Sequence, residues 1–270
     1  MSKLKDNIIA QQFKDKKPLI TYICGGDPNL ALTEKLIPCL AEAGSDLIEV
    51  GIPFSDPLAD GPVIQAAAQR ALQSGTTLKK LLISLEKLRD KIDVPLILMG
   101  YYNSILNFGE ERFARAARKA GIAGVIIPDL PVDAAAKLPV YLAEEEISQI
   151  RLVTPNTSRQ RLQQIASQSE GFLYCVALLG TTGANDQIYP ELKGYLDRVR
   201  QAAGKLPLGL GFGIDGPEKV KKIIDYPDGI IIGSALIETI QTGGDEAEML
   251  AKAAEFIESI KAAMPAAAVK

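Results

Sequence analysis

The 270 residues contain no histidine, so proton transfer in this chain falls to Asp, Glu, Lys, Tyr or Cys. That excludes Ser-His-Asp and Cys-His triads and most transition-metal sites, and no metal site is expected. Cys24, Cys39 and Cys175 are too few and too scattered for a disulfide framework or a zinc centre, and they read as reduced thiols. The acids that remain are concentrated in one stretch, Glu49-Val-Gly-Ile-Pro-Phe-Ser-Asp-Pro-Leu-Ala-Asp-Gly-Pro62. Glu49 stands inside an apolar run, where a carboxylate is costly unless hydrated, paired or protonated. It reads as a general acid/base with a tuned pKa, or else as half of a structural ion pair. Asp56 and Asp60 follow on a proline-stiffened loop and could be turn residues or partners in the same chemistry.

A second constellation suits an anion. Gly209-Leu-Gly-Phe-Gly213 and Gly233-Ser234-Ala235 each end an apolar run, and the latter leads into a short helical stretch at 236–240. Glycines let backbone N–H groups approach phosphate oxygens, Ser234 offers a hydroxyl, and a helix start favours negative charge. A third glycine segment, Gly180-Thr-Thr-Gly183, has the composition of a mobile lid or of a plain connection. Tyr22, Met99, Tyr101, Leu152, Tyr174 and Phe212 gather at the ends of apolar runs. They are core residues or the walls of a flat apolar pocket.

Eight short apolar runs position these groups: 18–26, 46–53, 94–102, 123–129, 147–153, 172–179, 207–213 and 229–235. They are rich in Ile, Val and Leu, as parallel strands buried on both faces must be. Amphipathic patterns alternate with them at 29–43, 63–74, 78–91, 110–120, 134–145, 158–169, 191–203, 217–224 and 245–263. This alternation predicts an α/β fold, a (β/α)8 TIM barrel forming one domain over 1–270. An extra N-terminal helix near 3–13 and a short phosphate-site helix after the eighth strand complete it. A doubly wound open sheet is the alternative. In a barrel the chemistry sits where strands end. Strand alternation puts Leu47, Glu49 and Gly51 on one face and leaves Ile48 and Val50 for the helices, so Glu49 points inward.

The net charge of −3 suggests no nucleic-acid surface, and no apolar run is long enough to span a bilayer. The first residues carry no secretory signal pattern, so a cytoplasmic location is expected.

The stretch from Glu49 to Pro62 resembles the signature of the tryptophan synthase alpha subunit family. The resemblance extends to Gly26-Asp-Pro28, Met99–Asn103, Ile127-Pro-Asp-Leu-Pro131, Thr154-Pro-Asn156, Thr182-Gly-Ala184, Gly211-Phe-Gly-Ile214 and Gly233-Ser-Ala235. It implies a lyase that cleaves indole-3-glycerol phosphate to indole and glyceraldehyde 3-phosphate, in tryptophan biosynthesis. It assigns acid–base work to Glu49 and service of the indole nitrogen to Asp60. It assigns phosphate contacts to Gly183, Gly213, Gly233 and Ser234. It assigns the indole pocket to Tyr22, Met99, Ile126, Leu152, Tyr174 and Phe212, and lid closure to Thr182. It implies no cofactor in this chain. The implied partner is a beta subunit carrying pyridoxal phosphate in an alpha2beta2 assembly, faced by Asp56, Asn103 and Pro131. Leu178 and Leu179, preceded by Ala177, stand where the family usually has a polar or basic residue and a small hydroxyl residue before the lid's first glycine. A mainly allosteric partner with weak activity of its own and a stand-alone indole-releasing lyase are the alternatives within this resemblance.

Overall fold

The computed structural model describes residues 7–177, 188–211 and 213–265. Its strands are β1 (Leu19–Cys24), β2 (Leu47–Gly51), β3 (Leu96–Met99), β4 (Ile122–Ile126), β5 (Ser148–Val153), β6 (Leu173–Val176), β7 (Leu208–Gly211) and β8 (Gly229–Ile232). They pair in sequence order and close on themselves, β8 returning to β1 through Leu19↔Ile230 and Thr21↔Ile232. Every pairing is parallel, so the sheet is the barrel and not the open alternative. The helices are α1 (Ile8–Gln11), α2 (Leu30–Glu42), α3 (Pro62–Gln73), α4 (Leu78–Glu86), α5 (Tyr102–Phe108), α6 (Glu110–Lys119), α7 (Leu138–Glu144), α8 (Arg159–Ser167), α9 (Ile188–Ala203), α10 (Pro217–Ile223), α11 (Ser234–Gln241) and α12 (Glu246–Ala262).

Alternation along the strands separates two cores. Ile48, Val50, Leu96, Leu98, Val125 and Val153 face outward and pack with the helices. Ile20, Leu47, Ile97, Ile126, Ile150, Phe172, Tyr174 and Ile231 fill the interior. The bottom of the interior is closed by Ile9 of α1, which is fully buried. Gly124 and Gly171 make room for it, since a Cβ at either would lie 2.7 or 2.9 Å from the Ile9 side chain. Asn7 fixes this short helix by accepting from the N–H groups of Ile9 and Ala10 and by donating to the Ser148 hydroxyl at 2.6 Å.

Three expectations change. The run 94–102 is strand only to Met99, and Tyr102 opens α5, a helix hidden by the apolar Tyr-Tyr pair. The pattern beginning at Ala134 becomes helical only at Leu138. The pattern 78–91 is helical to Glu86 and continues as turns. The expected N-terminal helix begins at Ile8 among the described residues.

Candidate active site

Glu49 is the middle residue of β2, its Cα in register with Tyr22 on β1 and Ile97 on β3. Its neighbours Ile48 and Val50 point into the outer core, which forces its side chain into the barrel. It is 0% exposed, and neither carboxylate oxygen has a hydrogen-bond partner. Burial pushes its carboxyl up to about 8. A structural ion pair is thereby ruled out: no cation meets this group among the described residues.

Asp60 ends the loop between β2 and α3. The loop folds on itself through Leu58 N–H to Asp56 O (2.9 Å) and Asp60 N–H to Pro57 O (3.0 Å). The Gln65 amide donates to Asp60 O at 2.8 Å, so α3 holds the loop's far end. Asp60 is half-buried, and burial pushes its carboxyl up to about 6 against the opposing effect of a hydrogen bond from Tyr101. The Tyr174 phenol is raised by burial, then by the charges of Glu49 and Asp60. Tyr22 is raised by burial, with Cys24 and the same two acids adding. Both acids therefore act on one pocket.

That pocket has apolar walls. Ile126 and Tyr174 belong to the interior core, Met99 and Leu152 pack half-buried against it, and Tyr22 is buried on the strand beside Glu49. Glycines clear space for its aromatics: a Cβ at Gly51 would lie 2.2 Å from the Tyr22 hydroxyl, and one at Gly211 would lie 2.5 Å from that of Tyr174. Gly211, read from the sequence as part of the anion signature, thus serves packing. The Tyr22 ring also abuts Gly233, where a Cβ would lie 3.2 Å from its own Cβ. Gly233 precedes α11, whose first residue is Ser234 and whose N-terminus has no side-chain cap. Gly213 holds φ +73, a conformation that favours glycine. The start of α11 therefore adjoins the pocket wall. The helix is braced behind: Gln241 at its C-terminal end reaches Asp27, which takes two hydrogen bonds from Arg70 of α3, at 2.7 and 2.8 Å.

Gly183, Thr182, Leu178, Leu179 and Phe212 lie outside the described residues. Asp56, Asn103 and Pro131 are exposed on the rim formed by the loops after β2, β3 and β4. Asp129 joins two of these loops by accepting the Tyr102 N–H at 2.8 Å. The sequence reading assigned no role to Asp129, to the Arg70–Asp27–Gln241 brace or to the Tyr101 hydroxyl. Each joins segments distant in sequence, and only the aromatic type of Tyr101 at a strand end signalled it. Among the described residues, no group of three or more His, Cys, Asp or Glu is placed to hold a metal, and no helix is long and apolar enough to cross a membrane.

The family model described as "Tryptophan synthase alpha chain" matches residues 9–265. A tryptophan synthase alpha chain from Petrotoga mobilis is 50% identical over 254 residues, covering 94% of this chain and 98% of that one. One from a Thermoanaerobacter species is 42% identical over 261 residues, covering 97% and 99%. Among solved structures, tryptophan synthase subunit alpha from Legionella pneumophila superposes with a TM-score of 0.86 at 36% identity, covering 97% of this chain and 98% of that one. A structure of the tryptophan synthase a2b2 complex of Pyrococcus furiosus, described in terms of mutual activation, matches with a TM-score of 0.85 at 33% identity, covering 92% and 99%.

Proposed function

The chain belongs to the tryptophan synthase alpha chain family, and on that premise we propose that Glu49 and Asp60 carry the acid–base steps of its reaction. The reaction is the cleavage of indole-3-glycerol phosphate to indole and glyceraldehyde 3-phosphate, the alpha step of tryptophan biosynthesis. The observation that carries the assignment is the pair of perturbed carboxyls on one apolar pocket: Glu49 buried without a partner, and Asp60 half-buried on the loop above it.

The steps balance with these two groups. Asp60, ionised, takes the indole N–H proton while protonated Glu49 delivers a proton to indole carbon 3. The product is an indolenine whose carbon 3 is tetrahedral. Glu49, now a carboxylate, takes the proton of the adjacent side-chain hydroxyl. The C–O bond becomes the aldehyde carbonyl, and the carbon–carbon electrons return to the ring. The ring nitrogen recovers its proton from Asp60, and both acids end as they began. Glu49 must start protonated and Asp60 ionised, so activity is confined between about 6 and 8, with Asp60 setting the acidic limb and Glu49 the basic one. The substrate phosphate is held by Gly213, Gly233 and Ser234, where the uncapped N-terminus of α11 offers amides and a favourable dipole. Gly183 adds a further amide and Thr182 closes the lid. The indole lies among Tyr22, Met99, Ile126, Leu152, Tyr174 and Phe212.

The chain works as one barrel domain and needs no cofactor of its own. Its partner is a tryptophan synthase beta subunit, which holds the pyridoxal phosphate, in an alpha2beta2 assembly. The rim bearing Asp56, Asn103 and Pro131 faces that partner. A location in the cytoplasm accords with this biosynthetic role. The test is Glu49→Gln, which keeps the shape and removes the ionisable proton. Indole release falls by about a thousandfold or more while a substrate analogue still binds. Retention of most activity overturns the role of Glu49.

A further inference from the structure

Tyr101 stands two residues beyond the end of β3 and is buried, at 6% exposure. It touches both ends of the loop that carries Asp60. At the near end its ring stacks on Phe54, with centroids 5.2 Å apart and planes at 26°. At the far end its hydroxyl accepts the Ala59 N–H at 2.9 Å. A phenol has one proton to give. The oxygen is already an acceptor to Ala59, so that proton is free to be given to the carboxylate of Asp60, the next residue along the loop.

We propose that Tyr101 is a positioning residue: its hydroxyl claims one oxygen of the Asp60 carboxylate and aims the other at the substrate nitrogen, while its ring fixes the loop that holds the acid. The proposal rests on the reading of Asp60 given above. A carboxylate on an otherwise self-supported loop has rotational freedom about its own side chain. One donor on one oxygen removes it, and also stabilises the ionised form that must accept the N–H proton. The phenol itself stays protonated, because burial and then the Asp60 charge raise its pKa. It cannot substitute for Asp60 as the base. Its contribution is orientation and charge state.

The test is Tyr101→Phe, which keeps the ring and its stack on Phe54 and removes only the hydroxyl. Steady-state indole release is followed across about pH 5 to 9. The acidic limb of kcat moves up by roughly half to one pH unit, since the carboxylate loses a stabilising donor. At pH near 6 kcat falls roughly two- to fivefold, with KM changed less than about twofold. Phe54→Leu disturbs the stack but keeps the hydroxyl, and leaves the acidic limb where it was. A fluorinated tyrosine at position 101, a stronger donor of the same shape, moves the limb down and covers the case in which the Phe variant does not fold. A limb that stays fixed in Tyr101→Phe, or in the fluorinated protein, overturns the proposal even if activity drops at every pH. Asp60→Asn separates the two readings. If it is inactive while the limb is unmoved by Tyr101→Phe, Tyr101 alone is misassigned. If it retains full activity, the role of Asp60 has failed first.

Discussion

At the scale of single residues, Glu49 carries a thermodynamic cost that the proposed acid–base role explains. An acid that titrates near 4.5 in the unfolded chain and at about 8 in the barrel is protonated when folded and ionised when unfolded at neutral pH. Between those values the folded state binds more protons, so stability falls as pH rises from about 4.5 to about 8 and then levels off. At pH 7 the gap amounts to about 3 kcal/mol at most. Glu49→Gln abolishes this slope, because a glutamine amide does not titrate. Denaturant unfolding at about pH 5, 7 and 8 then shows the wild type losing stability across the series, and the variant losing only the smaller part that Asp60, raised to about 6, contributes below pH 7. Parallel slopes for the two proteins would mean that Glu49 is not the buried titrating group. The inward placement of Glu49 was legible in the sequence, because a strand of period two that buries Ile48 and Val50 outward has no other direction for it. Its lack of any partner was not legible, since that depends on what seven other strands bring to the same height.

At the scale of elements, the barrel separates a face that makes the fold stable from a face that does chemistry. α1 belongs wholly to the first. Its Ile9 fills the bottom of the interior against Gly124 and Gly171, far along the strands from the ends that bear Asp60 and Gly233. Ile9→Ala leaves a cavity where a fully buried side chain had been, and is expected to lower stability by about 2 to 5 kcal/mol. Indole release per folded molecule at moderate temperature stays near the wild-type value. A thermal melt beside an activity assay checks both. Activity lost in proportion to stability would mean that the bottom layer also shapes the pocket. The strands were readable as elements because parallel strands buried on both faces become continuous apolar runs. α5 was not, because Tyr101 and Tyr102 prolong such a run while the chain has already turned into a helix that no N-cap side chain closes. The N–H of Tyr102 goes instead to Asp129 on the next loop, a link between neighbours in space that no local pattern encodes.

For the whole molecule, the three loops after β2, β3 and β4 connect the surface to the chemistry. The loop after β2 carries exposed Asp56 and, four residues on, half-buried Asp60. Tyr101 ties that loop to the end of β3, and Asp129 ties the start of α5 to the loop after β4. A partner seated on this rim would therefore touch the segments tied to the loop that carries Asp60. The resemblance implied Asp56, Asn103 and Pro131 as rim residues but none of these ties, which arise only when three strand ends are set side by side. The consequence is a division of effects between binding and isolated activity. Asn103 is exposed on α5 and makes no side-chain hydrogen bond among the described residues, so Asn103→Ala leaves the folding and indole release of the isolated chain unchanged. If the rim is the partner surface, the same substitution weakens association with a tryptophan synthase beta subunit by about tenfold, as loss of an interface contact does. Ile83 on α4 is also exposed, at 49%, but lies away from these loops. Ile83→Gln should bind the beta subunit as the wild type does. Titration calorimetry of the three proteins with the beta subunit decides the matter: equal affinity for Asn103→Ala together with a loss in Ile83→Gln would move the docking face from the rim to the helical side of the barrel.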